Sequence, residues 1–481
     1  MNHLSLLTLE LAVIALALAI LLIDLWTPHQ FKHRLGYVAA AGLIIILGVS
    51  FWGMHAETPT TAFHGMFVLD GLALFFKRLF LIGALVAVLL GVEFSGRIAS
   101  GIGEFHVVTL IALAGMMFAA SANDFVMVFV ALETISVSFY VLVSFQRSRS
   151  QSLEAGVKYL ILSALATAVL VFGIALIFGT GNGTGFGVLA AEGSRLTGNK
   201  VFLLGVLMVL LGLAFKISSF PLQMWTPDVY QGAPTPVTAF LAMGSKAAGF
   251  VLLLRVLFAA APVLAAHLDK LLILASAATI LYGNLCAIPQ RNLKRLLGYS
   301  SISHAGYLLL GIAALNADGS AAVLYYLAGY MFTLATAFIV ICIVSRESED
   351  IGSLAGLSQR SPLLALSMTL AMVSLAGIPP LVGFLGKFLL LRAVIEKAAV
   401  NAAYLALAAV TIIGVVISIY YYFGVIRAVY WSKEPADLSP IAVSLPLKIS
   451  LGVCITGMLY LGIFPQGVLA CATRAVQALK F

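Results

Sequence analysis

Six ionisable side chains lie within long apolar stretches of the chain: Glu133, Lys158, Lys216, Lys246, His304 and Lys387. Carboxylate, amine and imidazole groups exchange protons, and in apolar surroundings they do so with one another or with trapped water. Placing one at the centre of a bilayer costs ~2.5–3.5 kcal/mol or more, so it is kept where it is paired, hydrated or used. Glu133, Lys216, Lys246 and Lys387 are read as functional on that ground, with a purely structural Glu133–Lys216 ion pair as the open alternative. Lys158 is shallow enough to snorkel, and His304 reads equally as a hydrogen-bonded core histidine, so for these two the structural and functional readings stand level. Lys77 and Arg78 are read as snorkelling or packing at a subunit edge, and Arg255, Arg392 and Glu396 as interfacial. Tyr420, Tyr421 and Tyr422 are read as an interfacial aromatic belt rather than the lining of a polar path.

The elements that position these groups must be membrane helices. Of the 481 residues, 62% are hydrophobic and 10% are charged, against ~25% charged in an ordinary soluble domain. At ~20 apolar residues per crossing, that content suits about fourteen spans. It excludes a soluble enzyme, a disulfide scaffold and a disordered chain. The net charge of +8 is scattered rather than clustered, which excludes a nucleic-acid binder and fits lipid-facing basic loops. Cys286, Cys342, Cys454 and Cys471 lie far apart without metal-ligand spacing, so no iron–sulfur cluster is expected in this chain. The alternating glycines of Gly179–Gly187 read as a flexible outer loop. Gly383-Phe-Leu-Gly-Lys387 lacks the spacing of a phosphate-binding loop.

Continuous apolar runs place the spans at Leu4–Leu25, Leu35–Met54, Val68–Val92, Phe105–Ala120, Phe125–Phe145, Leu153–Phe178 and Val201–Phe220. The second half gives Pro236–Leu257, Leu268–Ile288, Leu296–Leu315, Ala321–Val344, Pro362–Ile395, Ala403–Tyr430 and Pro446–Leu469. The first span lacks a basic start and a small-residue cleavage site and reads as a retained helix. Every second loop is basic: Lys32/Arg34, Arg97, Arg147/Arg149, Arg291/Lys294/Arg295, Arg346/Arg360 and Lys433. The loops at Glu57–Phe63 and Asn316–Ser320 carry almost nothing basic; Arg195/Lys200 and Lys270 are the weakest contrasts. The bias puts the basic set in the cytoplasm and both termini on the periplasmic side.

Two spans carry helix breakers beside a lysine. Ser218, Ser219, Pro221, Pro227, Gly232, Pro234 and Pro236 follow Lys216, while Gly377, Pro379, Pro380 and Gly383 precede Lys387. Irregular backbone at membrane depth belongs inside protein or beside water, and a lysine at such a break is transporter-like. The separation of Glu133 from Lys216 equals that of His304 from Lys387. The fifth span then corresponds to the tenth and the seventh to the twelfth. A repeat of five spans, an odd number, re-enters the membrane inverted.

Three segments carry a family resemblance: Phe215-Lys216-Ile-Ser-Ser-Phe-Pro221-Leu-Gln-Met-Trp225-Thr-Pro227-Asp-Val-Tyr-Gln-Gly232-Ala-Pro234-Thr-Pro236, Asn292-Leu-Lys294-Arg-Leu-Leu-Gly-Tyr-Ser300-Ser-Ile-Ser-His304-Ala-Gly306-Tyr, and Leu375-Ala-Gly377-Ile-Pro379-Pro-Leu-Val-Gly383-Phe-Leu-Gly386-Lys387-Phe. Over essentially all its length the chain resembles the proton-conducting, antiporter-like membrane subunits of respiratory complex I. The resemblance implies an all-α polytopic membrane protein of about fourteen transmembrane helices. Helices 4–8 and 9–13 would form two inverted repeats, with helices 7 and 12 discontinuous. The corresponding divisions are 1–104 (a three-helix segment), 105–260 and 261–432 (two proton half-channels) and 433–481 (a C-terminal helix). The family's helix-5 carboxylate falls on Glu133, its lysines of helices 6, 7, 8 and 12 on Lys158, Lys216, Lys246 and Lys387, and its helix-10 histidine on His304. Lys77-Arg78 matches no family site. The chain ends soon after the fourteenth span, so the lateral helix of the family's largest member is expected to be absent.

The resemblance implies proton translocation across a bacterial inner membrane, driven by NADH oxidation and quinone reduction in partner subunits. NAD, FMN, iron–sulfur clusters and quinone would be held by those partners, with no cofactor in this chain. Burial favours a neutral amine and a nearby carboxylate favours the ammonium, so moving Glu133 relative to Lys216 would load or unload a proton. Lys246 and His304 would pass it to Lys387. A Na⁺/H⁺ antiporter subunit working without redox input, and an assembly scaffold whose internal charges merely pair, are the alternatives.

Overall fold

The computed structural model describes residues 3–53, 58–265, 267–345, 349–399, 401–431 and 438–479. Met54, Glu57, Arg346 and Lys433, which enter the span and loop readings above, lie outside the described residues. Thirteen described helices are long and apolar enough to cross a membrane. Two shorter ones, Pro362–Ala376 and Val382–Ala398, together make a fourteenth crossing. All fourteen expected spans have a counterpart. An amphipathic helix, Gln466–Val476, follows the last. Among the described residues, the exception to helix is a hairpin of two three-residue strands, Thr60–Ala62 and Phe67–Leu69, paired antiparallel before the third span.

Spans 8 (Thr235–Ala260), 10 (Leu293–Ala313) and 11 (Ala317–Val344) form the centre of the bundle, buried on nearly every face. Spans 1, 2, 13 and 14 turn rows of Leu, Ile and Val outward, as lipid-facing helices do. Small residues set the closest approaches. A Cβ on Gly173 or Gly205 would meet the other helix's backbone at 2.6–2.9 Å, and one on Gly283 or Gly306 would collide with the facing helix of the span 9–10 pair at 2.5–2.6 Å. Close packing of this kind takes the place of the hydrophobic drive that lipid does not supply.

Span 8 departs from the expected regular helix. Leu241–Ser245 and Val256–Ala260 are π-helical, bracketing the α-helical stretch Lys246–Arg255. Single π turns inside α-helices concentrate at functional positions. The glycine-rich connection after span 6 is also more ordered than the flexible loop expected there. Span 6 runs on to Thr180, and two short helices, Phe186–Ala191 and Gly193–Leu196, follow. Its backbone is tied to the start of span 5, Phe125 N–H donating to Thr184 O and Phe186 N–H to Asn123 O.

At the basic end, span 10 is fastened to the connection after span 11. Leu293 N–H donates to Glu349 O and Ile351 N–H to Arg291 O, both at 2.8 Å. The Glu349 carboxylate takes Lys294 Nζ at 2.8 Å and Arg149 Nη1 at 3.2 Å. Burial alone would raise the Glu349 carboxyl, but the charges and hydrogen bonds of Lys294 and then Arg149 outweigh it and hold it below the usual carboxylate range. Lys294 is fully buried, so Glu349→Gln strands a charge and is expected to cost about 3 kcal/mol at neutral pH. A carboxyl held low contributes its stability above its unfolded value and loses it as pH falls through the folded one. Thermal unfolding in detergent should therefore separate wild type from variant at pH 7, and the gap should close in acid.

Candidate functional site

Both helix breaks are closed by the protein itself. After Lys200–Ile217, Ser218 turns into the left-handed region (φ +63°) and Ser219 N–H returns to Ala214 O at 2.9 Å. Trp225 Nε1 donates to Phe215 O at 2.9 Å, and Phe220 N–H donates to Thr279 Oγ1 of span 9 at 3.0 Å. In the twelfth span, Gly377 takes φ +84° and Ile378 N–H returns to Val373 O. Lys387 Nζ, from the following half-helix, reaches back to Leu375 O at 2.7 Å and Ala376 O at 3.2 Å. A side chain at Gly377 would strike the Lys387 chain at 2.9 Å, and a Cβ at Gly383 would overlap Ser374 O.

This geometry resolves the register mismatch in the sequence. Lys216 is the penultimate residue of its half-helix. Lys387 belongs to the second half but brings its ammonium to the end of the first. Both lysines are thus tied to the C-terminal end of a half-helix, Lys216 by its place in the last turn and Lys387 by its ammonium, and the helix dipole there favours positive charge.

Lys216 is buried, and its ammonium donates to Ser136 Oγ at 2.6 Å and Ser163 Oγ at 3.1 Å. Glu133 stands one turn from Ser136 and accepts from Thr167 Oγ1 at 2.8 Å. Among the described ion pairs none joins Glu133 to Lys216: the ammonium is held by two serines and the carboxylate by Thr167, so the direct pair held open above is not formed. Lys246 is buried one turn from Gly249, whose Cβ position lies 3.4 Å from Lys216 Cβ. Its ammonium donates to Ser301 O at 2.7 Å and contacts Ser301 Oγ, which also meets Tyr230 OH at 3.2 Å.

One turn on from Ser301, buried His304 bonds Tyr326 OH through Nδ1 and Tyr422 OH through Nε2, the latter at 3.0 Å. Tyr422 OH pairs with Ser300 Oγ at 2.5 Å. Asn284 links Tyr421 OH (3.0 Å) to Tyr307 OH (3.2 Å), and the Tyr307 ring faces Lys387 Nζ at 4.9 Å. Span 10 is thus the spine of a polar axis, carrying Ser300, Ser301, His304 and Tyr307 on neighbouring turns. Lys158 stands apart from it. It is part-exposed at the basic end, paired with Glu154 at 2.8 Å and Asp228 at 2.9 Å, while Arg295 Nη1 holds the other Asp228 oxygen at 2.5 Å. These groups and Gln231 line a polar cavity of about 240 Å³.

Three expectations are corrected. Lys77 neither snorkels nor lies at an edge. It is fully buried and ion-paired with Glu10 of span 1 at 2.7 Å, which a charge in low dielectric requires. Arg255 is near a span end but buried within the protein, its guanidinium gripping both oxygens of Asp70 at 2.8 and 3.1 Å and its Nε donating to Ala120 O. Tyr420 is exposed as a belt residue would be, whereas Tyr421 and Tyr422 are buried in the polar axis, because a helix turns consecutive residues to different faces. Arg392 and Glu396, read as interfacial, are exposed and pair with each other at 2.8 Å. Sequence reading missed Ser136, Ser163, Asn284, Ser301, Tyr307 and Tyr326. The signal for several was present, since Ser136, Ser301 and Tyr307 each lie three residues from a singled-out titratable group, on the same helix face. Among the described residues no group of three His, Cys, Asp or Glu is placed to hold a metal ion, and all four cysteines are free.

Residues 122–416 match the family described as NADH:quinone oxidoreductase/Mrp antiporter, TM. The chain is similar to NADH-quinone oxidoreductase subunit N of Trichlorobacter lovleyi, 40% identical over 97% of this chain and 96% of that one. It is 39% identical to the protein of the same name from Heliobacterium modesticaldum, over 99% of each. A chain of respiratory complex I from Thermus thermophilus superposes with a TM-score of 0.81 at 34% identity, covering 97% of this chain and 100% of that one. A chain of the Mrp complex from Dietzia sp. DQ12-45-1b shares the fold alone, with a TM-score of 0.85 at 21% identity over 100% and 98%. Fold and polar axis thus define an antiporter-like membrane subunit of the oxidoreductase/Mrp class. Within that class, the chain belongs to the NADH-quinone oxidoreductase subunit N family.

Tyr422→Phe removes a hydroxyl shared by His304 and Ser300 and leaves their buried polar atoms short of a partner. It is expected to lower stability by about 1–3 kcal/mol, read as a drop in the thermal unfolding midpoint, whereas Tyr420→Phe should leave the midpoint unchanged.

Proposed function

We propose that this chain is a proton-translocating membrane-arm subunit of NADH-quinone oxidoreductase, working beside other membrane subunits in a bacterial inner membrane. Family membership and the likeness to the Thermus thermophilus complex I chain support that assignment. The observation that carries the mechanism is the succession of titratable groups from Glu133 to Lys387, each held by hydroxyl, amide or carbonyl partners within the protein. Glu133, Lys158, Lys216, Lys246, His304 and Lys387 are its titratable stations, with residues 105–260 and 261–432 as two half-channels. Residues 1–104 brace the first half-channel, and 433–481 close the second.

In this reading Lys158, with Asp228 and Arg295, admits protons at the cytoplasmic end, where the basic residues gather. Glu133 and Lys216 share a proton through Ser136 and Ser163. Approach of the carboxylate favours the ammonium, and its retreat favours release to Lys246. Ser301 carries the contact to span 10, and His304 with its tyrosines carries it to Lys387, which discharges outward. The basic loops support cytoplasmic placement of that end and periplasmic termini. Moving one charge against the membrane potential costs ~2.3 kcal/mol per 100 mV. Redox reactions in partner subunits holding NAD, FMN, iron–sulfur clusters and quinone supply it in this reading.

In inverted vesicles energised by NADH, Lys216→Ala and Lys387→Ala should each cut proton uptake to a small fraction of wild type while the complex still assembles. Full pumping in either variant would sink the relay. Sodium-for-proton exchange by the chain without NADH would favour the cation/proton antiporter reading instead.

A further inference from the structure

A cleft lies away from the polar axis, at the end of the bundle where spans 3 and 14 meet span 11 and the helix Gln466–Val476. Its volume is about 760 Å³, within the ~300–1,000 Å³ of ordinary ligand sites. Its walls are apolar, built from residues such as Leu74, Leu79, Ile82, Met331, Phe332 and Leu461. From Leu74 to Ile82 the wall descends about 12 Å along span 3. Two guanidiniums, those of Arg78 and Arg474, line the same cleft.

Each arginine lies close to a helix end. Arg78 belongs to span 3 but sends Nη2 to Ser50 O at 2.5 Å, near the end of span 2, and lies over the Phe51 ring at 4.3 Å. Arg474 is exposed on the last turn of the amphipathic helix, with long contacts to Ala470 O (3.4 Å) and Cys471 Sγ (3.5 Å). Among the described residues no carboxylate pairs with it. The carboxylate that does line the cleft, Asp70, is already taken up by both terminal nitrogens of Arg255.

We propose that this cleft is a binding site for an anionic phospholipid, its phosphate held between Arg78 and Arg474 and an acyl chain lying along span 3. An apolar slot explains a hydrocarbon occupant, and two guanidiniums in its lining explain a negative one, since guanidinium matches phosphate in charge and geometry. The occupied slot would tie the terminal helix to spans 3 and 11 from outside. The site is independent of the proton relay and of which residues serve it.

The test is native mass spectrometry of the assembled complex, purified in mild detergent from membranes rich in phosphatidylglycerol and cardiolipin. Wild type should retain at least one more tightly held anionic phospholipid than Arg474→Gln or Arg78→Gln. Arg195→Gln, on the exposed helix Gly193–Leu196, should match wild type. Arg474 is exposed, so its variant carries the test even where Arg78→Gln fails to assemble. Equal retention in Arg474→Gln and wild type would overturn the proposal. So would efficient cross-linking of exposed Cys471 to a neighbouring subunit, which would mean that protein fills the cleft.

Discussion

Hydrocarbon offers no partner to an exposed peptide group, and every interruption of a helix at membrane depth must be answered from within the protein. The two broken spans show what that requires. The first break takes an indole from Trp225 and a hydroxyl from span 9. The second takes an ammonium, Lys387 standing in for the amide groups that a continuous helix would have supplied to Leu375 and Ala376. The breaks therefore create the polar groups of the site and also dictate where they lie. Gly377 and Gly383 are glycine because nothing larger leaves room for the lysine and for the neighbouring carbonyl.

The buried centre of the bundle follows from the same economy. Spans 8, 10 and 11 carry serine, tyrosine, histidine and lysine in numbers that lipid would not tolerate, and the other eleven crossings surround them. Within that low dielectric each hydrogen bond is stronger and each missing partner costs more, so the network holds its members in defined positions. The hydroxyls matter as much as the charges. Serines contact both Lys216 and Lys246, and tyrosines contact both nitrogens of His304. A hydroxyl both gives and accepts a hydrogen, which a second lysine in the same place could not do.

The spans were legible because continuous apolar runs leave little room for misplacement, and the breaks because proline and glycine act locally. The titratable stations were legible because charge in an apolar run is conspicuous. What escaped notice depends on rotation about the helix axis and on partners distant in sequence. Nothing near Lys77 points to Glu10, and nothing near Arg255 points to Asp70, yet each pairing decides whether the charge is buried or at the rim. The tyrosine run reads as one unit in sequence, but rotation about the helix axis turns Tyr420 away from the face that buries its two successors. The π segments of span 8 left no compositional mark.

Span 6 is 31 residues long, which amounts to about 46 Å of helix. A bilayer's hydrocarbon core is ~30 Å thick, so roughly 16 Å of this helix must be taken up by tilt or by standing proud of the core. Lys158, two turns and a little more from the start at Ser150, falls about 12 Å along that length. The surplus length thus lifts the Lys158–Asp228–Arg295 cluster towards the headgroups, although hydropathy places it inside a span. Hydrophobic mismatch in a single overlong helix gives the bundle a wet shoulder on one side, and a thicker or thinner bilayer would alter how deeply that shoulder is submerged.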